Sequence, residues 1–395
     1  MITKIVYLEI KHFKSLEHVR LEGLSCFSVF AGPNGAGKSN LFEAMRFIGL
    51  VARQGVQAAI DASGGIQNIR CKVNNSDTMG FKIRFVVEQD IEGQGLRELH
   101  YAYHLNLYNL DGEKIEIEEQ LESPRLNQIQ NSTVVPESPS AWVQAYRDRG
   151  KDSVHFSPEP NKHEVVSLSQ DKSILLISPY TSLPATILSN IYRFMLSPQQ
   201  GRLPYPETKA RQILKEDGSN LALVISQHVN SGHNLNELID WLKLVVPGGT
   251  SLISQLNLLD HQFYLLLKEQ YLKDPVPAQL LSDGTINLLS LLMSIYSVPT
   301  YGWSLIEEPE NGLHPKATQE LVAFFRSQAH ENHPVWLTTH DTHLINQLKP
   351  EELWLVDKIE GKTRFVAARD LDLKDIDLSM SEVWLSNAFG AGLPW

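Results

Sequence analysis

The sequence predicts an α/β protein with a mixed sheet, an antiparallel β layer and a helical lobe. Three observations carry this. A glycine-rich loop at 32–39 lies between an apolar, strand-like run and an amphipathic, helix-like run. Residues 81–122 alternate between apolar and polar side chains. A Ser-Asp-Gly turn at 282–284 opens a strongly apolar helical run, and two short apolar strand-like runs follow it.

The chain has 395 residues, enough for one large lobe or two joined ones. It is 42% hydrophobic and 21% charged, with a mean hydropathy of −0.20, an ordinary globular composition. Its longest apolar runs, 174–177 and 288–293, are too short to span a membrane. The first residues alternate like a strand and lack a secretion-signal profile. Cys26 and Cys71 are the only cysteines, and neither sits in a zinc-type cluster, which fits a reducing cytoplasm. A net charge of −11 argues against whole-surface affinity for nucleic acid, although Lys4, Lys11, Lys14 and Arg20 give the first strands a local basic bias.

Residues 2–31 read as two or three strands leading into the loop. Residues 32–39 are Gly-Pro-Asn-Gly-Ala-Gly-Lys-Ser, the complete G-x-x-x-x-G-K-[ST] phosphate-loop pattern. The pattern implies a nucleoside triphosphate held by its phosphates with Mg²⁺. The backbone from Asn34 through Gly35, Ala36 and Gly37 can turn its N–H groups toward an anion. Lys38 would reach the β- and γ-phosphates, and the Ser39 hydroxyl would ligate Mg²⁺. The helix that follows, with Asn40 in its first turn and Leu41, Ala44, Met45 and Ile48 on one face, adds its positive end.

Residues 81–122 read as an antiparallel meander, with turns at Gly93, Gly95 and Asp111-Gly112. Between 88 and 122 stand ten acids and two bases, so the meander presents a solvated face rather than a nucleic-acid one. Pro124, Pro136, Pro139, Pro158 and Pro160 mark 123–163 as loop-rich. Helical patterns follow over 185–245, including Ile187, Ile191, Phe194 and Met195, with strands over 252–272. The expected division is 1–122 (loop and meander), 123–180 (arm), 181–280 (helical lobe and strands) and 281–395 (the second part of the nucleotide lobe).

Ser282 is a natural N-cap, and with the Gly284 N–H it makes a second anion-binding helix start. The strand-like 301–306 ends in Glu307 and Glu308. An acid there can hold Mg²⁺, and its neighbour can polarise a water. The run 335–339 ends in His340, a candidate to sense a γ-phosphate. Each feature alone has an ordinary reading: a helix cap, a solvated strand end, a structural histidine. Their chain order, and one site needing all of them, favours the functional reading.

The order phosphate loop, LSDGT, EEPENGLHP, TTHD resembles the ABC-type ATPases of the RecF/SMC/OLD group, in particular the branch known as predicted RecF-like ATPases of the AAA family. Phe13-Lys14-Ser15-Leu16, Gly64-Gly65, Asp217-Gly218-Ser219-Asn220-Leu221 and the tail Glu382-Val-Trp-Leu…Gly390…Gly392-Leu-Pro-Trp extend the likeness. The resemblance implies an ABC-type P-loop fold with a helical signature lobe, and ATP and Mg²⁺ as cofactors. It implies Glu308 as catalytic glutamate, His340 as switch histidine, Glu307 beside the metal and Lys14 near the nucleotide. It further implies 281–285 as the signature, closing on ATP held by a second subunit, and 311–314 as the dimer-facing loop. In two places the chain departs from the pattern. Glu307 stands where Asp is usual, and Asp283 where transporters carry a second glycine. Gln67 and Gln170 are the candidates for the Q-loop glutamine.

The leading functional expectation is a cytoplasmic ATP-dependent homodimer or higher homo-oligomer acting in DNA repair or phage defence. The alternative is a nucleotide-sensing subunit that controls a separate nuclease or toxin without handling DNA. DNA contact stays open between these readings. A transporter subunit fits poorly, since Thr285-Ile-Asn-Leu-Leu replaces the usual basic, alanine-rich continuation.

Overall fold

The computed structural model describes residues 2–91, 95–112, 114–123, 142–159, 162–177, 182–210, 212–231, 235–243, 246, 248–371 and 379–385. Gly93, Pro124, Pro136, Pro139, Pro160 and the tail 386–395 lie outside them. The fold is mixed α/β. Its centre is a six-stranded sheet in the order Ile191–Phe194, Trp303–Glu307, Val335–Thr339, Phe27–Ala31, Leu353–Ile359, Lys362–Ala367. The first five strands run parallel and the last antiparallel.

The inner strands are buried on both faces, so they read as unbroken apolar runs rather than alternating ones. Their residues still divide by parity between two cores. Phe30, Leu305, Trp336, Trp354 and Val356 face one core. Val29, Ala31, Ile306, Val335, Leu337, Leu353 and Leu355 face the other.

The first core is closed by the long helix Lys38–Gln54 and, above it, the antiparallel sheet. That sheet holds eight strands in the order Leu16–Glu22, Ile2–Phe13, Thr78–Ile91, Gly95–Tyr108, Glu116–Ser123, Trp142–Arg147, Ser153–Glu159, Lys162–Ser167. Phe13, Phe47 and Phe81 bind helix to sheet, with ring centroids 5.4 to 6.1 Å apart. The layer is therefore wider than the 81–122 meander. It begins at residue 2 and runs on through three strands where a loop-rich arm was expected. The prolines that suggested loop fall mainly between strands.

The second core is closed by helices Leu221–Asn230, Leu235–Leu242, Asp283–Tyr296 and Pro315–Gln328. A small antiparallel sheet, with Gly249–Asn257 and Gln262–Glu269 as its main hairpin, packs there. One expected helix is a strand instead. Ile191–Phe194 pairs in parallel with Trp303–Glu307, because the central sheet leaves that edge to fill. No described helix is long and apolar enough to cross a membrane.

Candidate functional site

Phe27–Ala31, fully buried, delivers the chain to residue 32 at the carboxyl end of the central sheet. The loop then turns through Gly35 (φ 79°) and Gly37 (φ 104°), conformations that side chains rarely adopt. A Cβ on Gly37 would also stand 2.0 Å from Thr363 Oγ1. Thr363 Oγ1 donates to the Ala36 carbonyl at 2.8 Å and lies 2.6 Å from Ser15 Oγ. Asn40 Nδ2 donates to Ser15 Oγ at 2.6 Å. The loop is thus braced by Thr363 on the last strand of the sheet, by Ser15 in the turn after Ile2–Phe13, and by Asn40 on the helix that follows the loop, a role that the sequence pattern does not reveal for Ser15 and Thr363.

Lys38 Nζ donates to the carbonyls of Gly32 (2.6 Å) and Pro33 (3.1 Å). Burial pulls its ammonium below the ordinary lysine range, while the charges of Glu308, Glu310 and Glu307 oppose that shift. Lys14 has φ 50° and pairs with Glu43 on the phosphate-loop helix.

The neighbouring strands bring the acids. Ser39 Oγ donates to Glu307 Oε2 at 2.6 Å. The other oxygen, Oε1, accepts from Arg193 Nε at 2.6 Å. Glu308 has left-handed backbone geometry (φ 45°), which turns its carboxylate out of the strand. Its Oε1 lies 3.1 Å from His340 Nδ1, and its Oε2 accepts from Asn311 Nδ2 at 3.1 Å. Glu310, the third acid of EEPEN, is buried; its Oε1 accepts from Thr339 Oγ1 at 2.6 Å. Burial pushes this carboxyl up, against the pull of the Thr339 hydroxyl.

Ser282 is exposed and caps the helix Asp283–Tyr296, accepting from Thr285 N at 3.2 Å. Arg202 pairs with Asp283 and donates to the Leu281 carbonyl at 2.8 Å. This helix is locked to the acidic strand within the same chain. Buried Asn287 donates to the Asn311 carbonyl at 2.6 Å, and a Cβ on Gly284 would meet the Gly312 carbonyl oxygen at 2.6 Å. His314 caps the next helix, Pro315–Gln328. A cleft of about 350 Å³ runs between the two segments, lined by Met195, Gln199, Asp283, Asn287, Glu307 and Glu308 among others. Neither candidate glutamine lies there. Gln170 bonds Ile117 N in the β layer, and Gln67 sits on the short helix Ile66–Ile69, whereas Gln199 borders the cleft.

The structure therefore gathers Lys38, Ser39, Glu307, Glu308 and His340 at the carboxyl ends of three adjacent parallel strands. It packs Gly284 against Gly312 of the 308–312 loop and leaves Ser282 exposed at the start of the same helix. The oxygen donors Ser39 Oγ and Glu307 Oε2 converge, which suits a hard cation that keeps most of its water. Among the described residues no three His, Cys, Asp or Glu side chains cluster for metal binding.

The fold is shared with an SMC head solved in complex with the C-terminal winged-helix domain of ScpA. That match has a TM-score of 0.53 and 14% identity, covering 96% of this chain and 99% of that one. Further similar structures are the Pyrococcus furiosus Smc head with an extended coiled coil (TM-score 0.48, 14% identity, 92% and 96% covered) and the Thermotoga maritima SMC head (0.43, 16%, 92% and 98%). No curated protein sequence matches the chain. The chain belongs to the family described as AAA domain, putative AbiEii toxin, Type IV TA system, whose profile matches residues 27–114 and 189–346, well over half its length.

Proposed function

We propose that the chain binds and hydrolyses ATP with Mg²⁺, and that two copies close around the nucleotide to act as a switch. The observation that carries this is the convergence of the phosphate loop with two differently held carboxylates. Glu307 is tied to Ser39 on the metal side, and Glu308 is held by His340 and Asn311. Loop N–H groups and Lys38 would hold the phosphates. A hydrated Mg²⁺ on Ser39 and Glu307 would neutralise phosphate charge. Glu308 would accept the proton of an attacking water, with His340 fixing its rotamer. Ser282, exposed at the start of its helix, would complete the partner's site.

The cellular role proposed is DNA repair or phage defence. The family description, which names a putative toxin of a type IV system, favours a second reading in which this ATPase controls an effector. The partner-bound SMC head offers an analogy for such an attachment.

Glu308→Gln should retain ATP and accumulate as a dimer. Light scattering with and without ATP measures this, and a monomer at saturating ATP overturns the closed-dimer reading.

A further inference from the structure

We infer that Arg193 is a positioning residue for Glu307, coupling the metal side of the site to the helical lobe. The inference rests on the reading of Ser39 and Glu307 as the metal-side pair. The strand Ile191–Phe194 lies in parallel register beside Trp303–Glu307, with Arg193 opposite Leu305. Arg193 and Glu307 side chains are both only 8% exposed, so this is no solvated surface pair. Nε donates to Glu307 Oε1, and Nη1 donates to Glu216 Oε1, each at 2.6 Å. Glu43 Oε1 stands 3.8 Å from Nη1. Glu216 is anchored in turn by Arg46 on the phosphate-loop helix, at 2.9 Å.

The geometry divides the work of one carboxylate. Oε1 is taken by the guanidinium, which leaves Oε2 facing Ser39. A planar fork can hold two acids in fixed directions; a point-charge ammonium cannot. The same geometry gives a task to the Asp217-Gly218-Ser219-Asn220 turn. Met195 N donates to the Glu216 carbonyl at 2.8 Å and Ser197 N to that of Asp217 at 3.1 Å. Gly218 takes φ 78°, and Asn220 folds back on Ile213 O and Lys215 N. The turn delivers Glu216 to Arg193 and then opens the helix Leu221–Asn230. A shift of the carboxylate would therefore be felt in the lobe that carries the signature.

The test is binding of a fluorescent ATP analogue, measured without metal and across a Mg²⁺ titration, for the wild type, Arg193→Gln and Arg193→Lys. Groups that orient a metal ligand typically change metal affinity by about tenfold or more when removed. The Mg²⁺ half-saturation should rise by about that factor in both variants, while metal-free affinity stays at the wild-type value. Arg193→Lys keeps a cation among three carboxylates and carries the test if Arg193→Gln does not fold. An unchanged half-saturation in a folded variant overturns the inference. So does a lowered one, which would make Arg193 a competitor for the carboxylate's charge, or an equal loss without metal, which would mark a merely structural role. A wild type that takes up no analogue removes the nucleotide reading itself, and this assignment with it.

Discussion

Glu308 adopts φ 45° without being glycine, a conformation that costs about 1–3 kcal/mol and persists only where neighbours impose it. Here Thr338 O accepts from its N–H, and Asn311 and His340 flank its carboxylate. His333 shows the opposite use of a histidine. Half-buried beside Ser304, with its Nε2 3.0 Å from the hydroxyl, it is pushed down to about 4 because loss of solvent, then His330, disfavours the charged ring. The unfolded chain binds that proton at an ordinary pKa of about 6.5. The stability contributed by the neutral ring is whole above 6.5 and drains as pH falls toward 4, by about 3 kcal/mol at most. Urea midpoints across that range should fall more steeply for the wild type than for His333→Asn. Lys38, Ser39, Glu308 and His340 were legible in the sequence because each ends a local pattern of strand and turn. Arg193, Ser15 and Thr363 were not, since no neighbour in sequence signals a partner more than a hundred residues away.

Elements were legible where their burial is one-sided or their caps are explicit. The helix Lys38–Gln54 and the strand Trp303–Glu307 fall where their patterns put them. Ile191–Phe194 does not, because four residues are too few to separate a period of 3.6 from one of 2. The strands between 142 and 167 were hidden by prolines around them and by Pro158 inside Ser153–Glu159. What secures that part of the layer is a pair no pattern reveals. Glu119 and Arg147, both 0% exposed, meet at 3.2 Å. Glu119 also accepts from Ser173 and Tyr103 hydroxyls at 2.6 and 2.7 Å, and Arg147 donates to the carbonyls of Ser169 and Lys172. Burial pushes the Glu119 carboxyl up, opposed by Arg147. Arg147→Met should cost about 3–5 kcal/mol, since it strands a buried carboxylate. Adding Glu119→Leu should restore much of that loss; a double variant as unstable as the single one would refute the account. Chemical unfolding measures both.

At the scale of the molecule, two cores share one sheet, and the site lies along the edge where they meet. The family match ends at residue 346, yet the phosphate loop takes its shape from Thr363, 327 residues beyond the Ala36 carbonyl it binds. Thr363→Val keeps the strand's volume and removes that hydroxyl. It should weaken nucleotide affinity several-fold, by the loss of about 1 kcal/mol of hydrogen bonding, while leaving the unfolding transition cooperative. Binding titration beside thermal melting separates the two. The brace also sets a timetable. Contacts of such long sequence separation form late. A nascent chain that has emerged from the ribosome only as far as the histidine strand carries the phosphate loop, the Ser-Asp-Gly turn, the paired acids and His340, yet the brace of its loop waits for the last hairpin of the sheet to arrive.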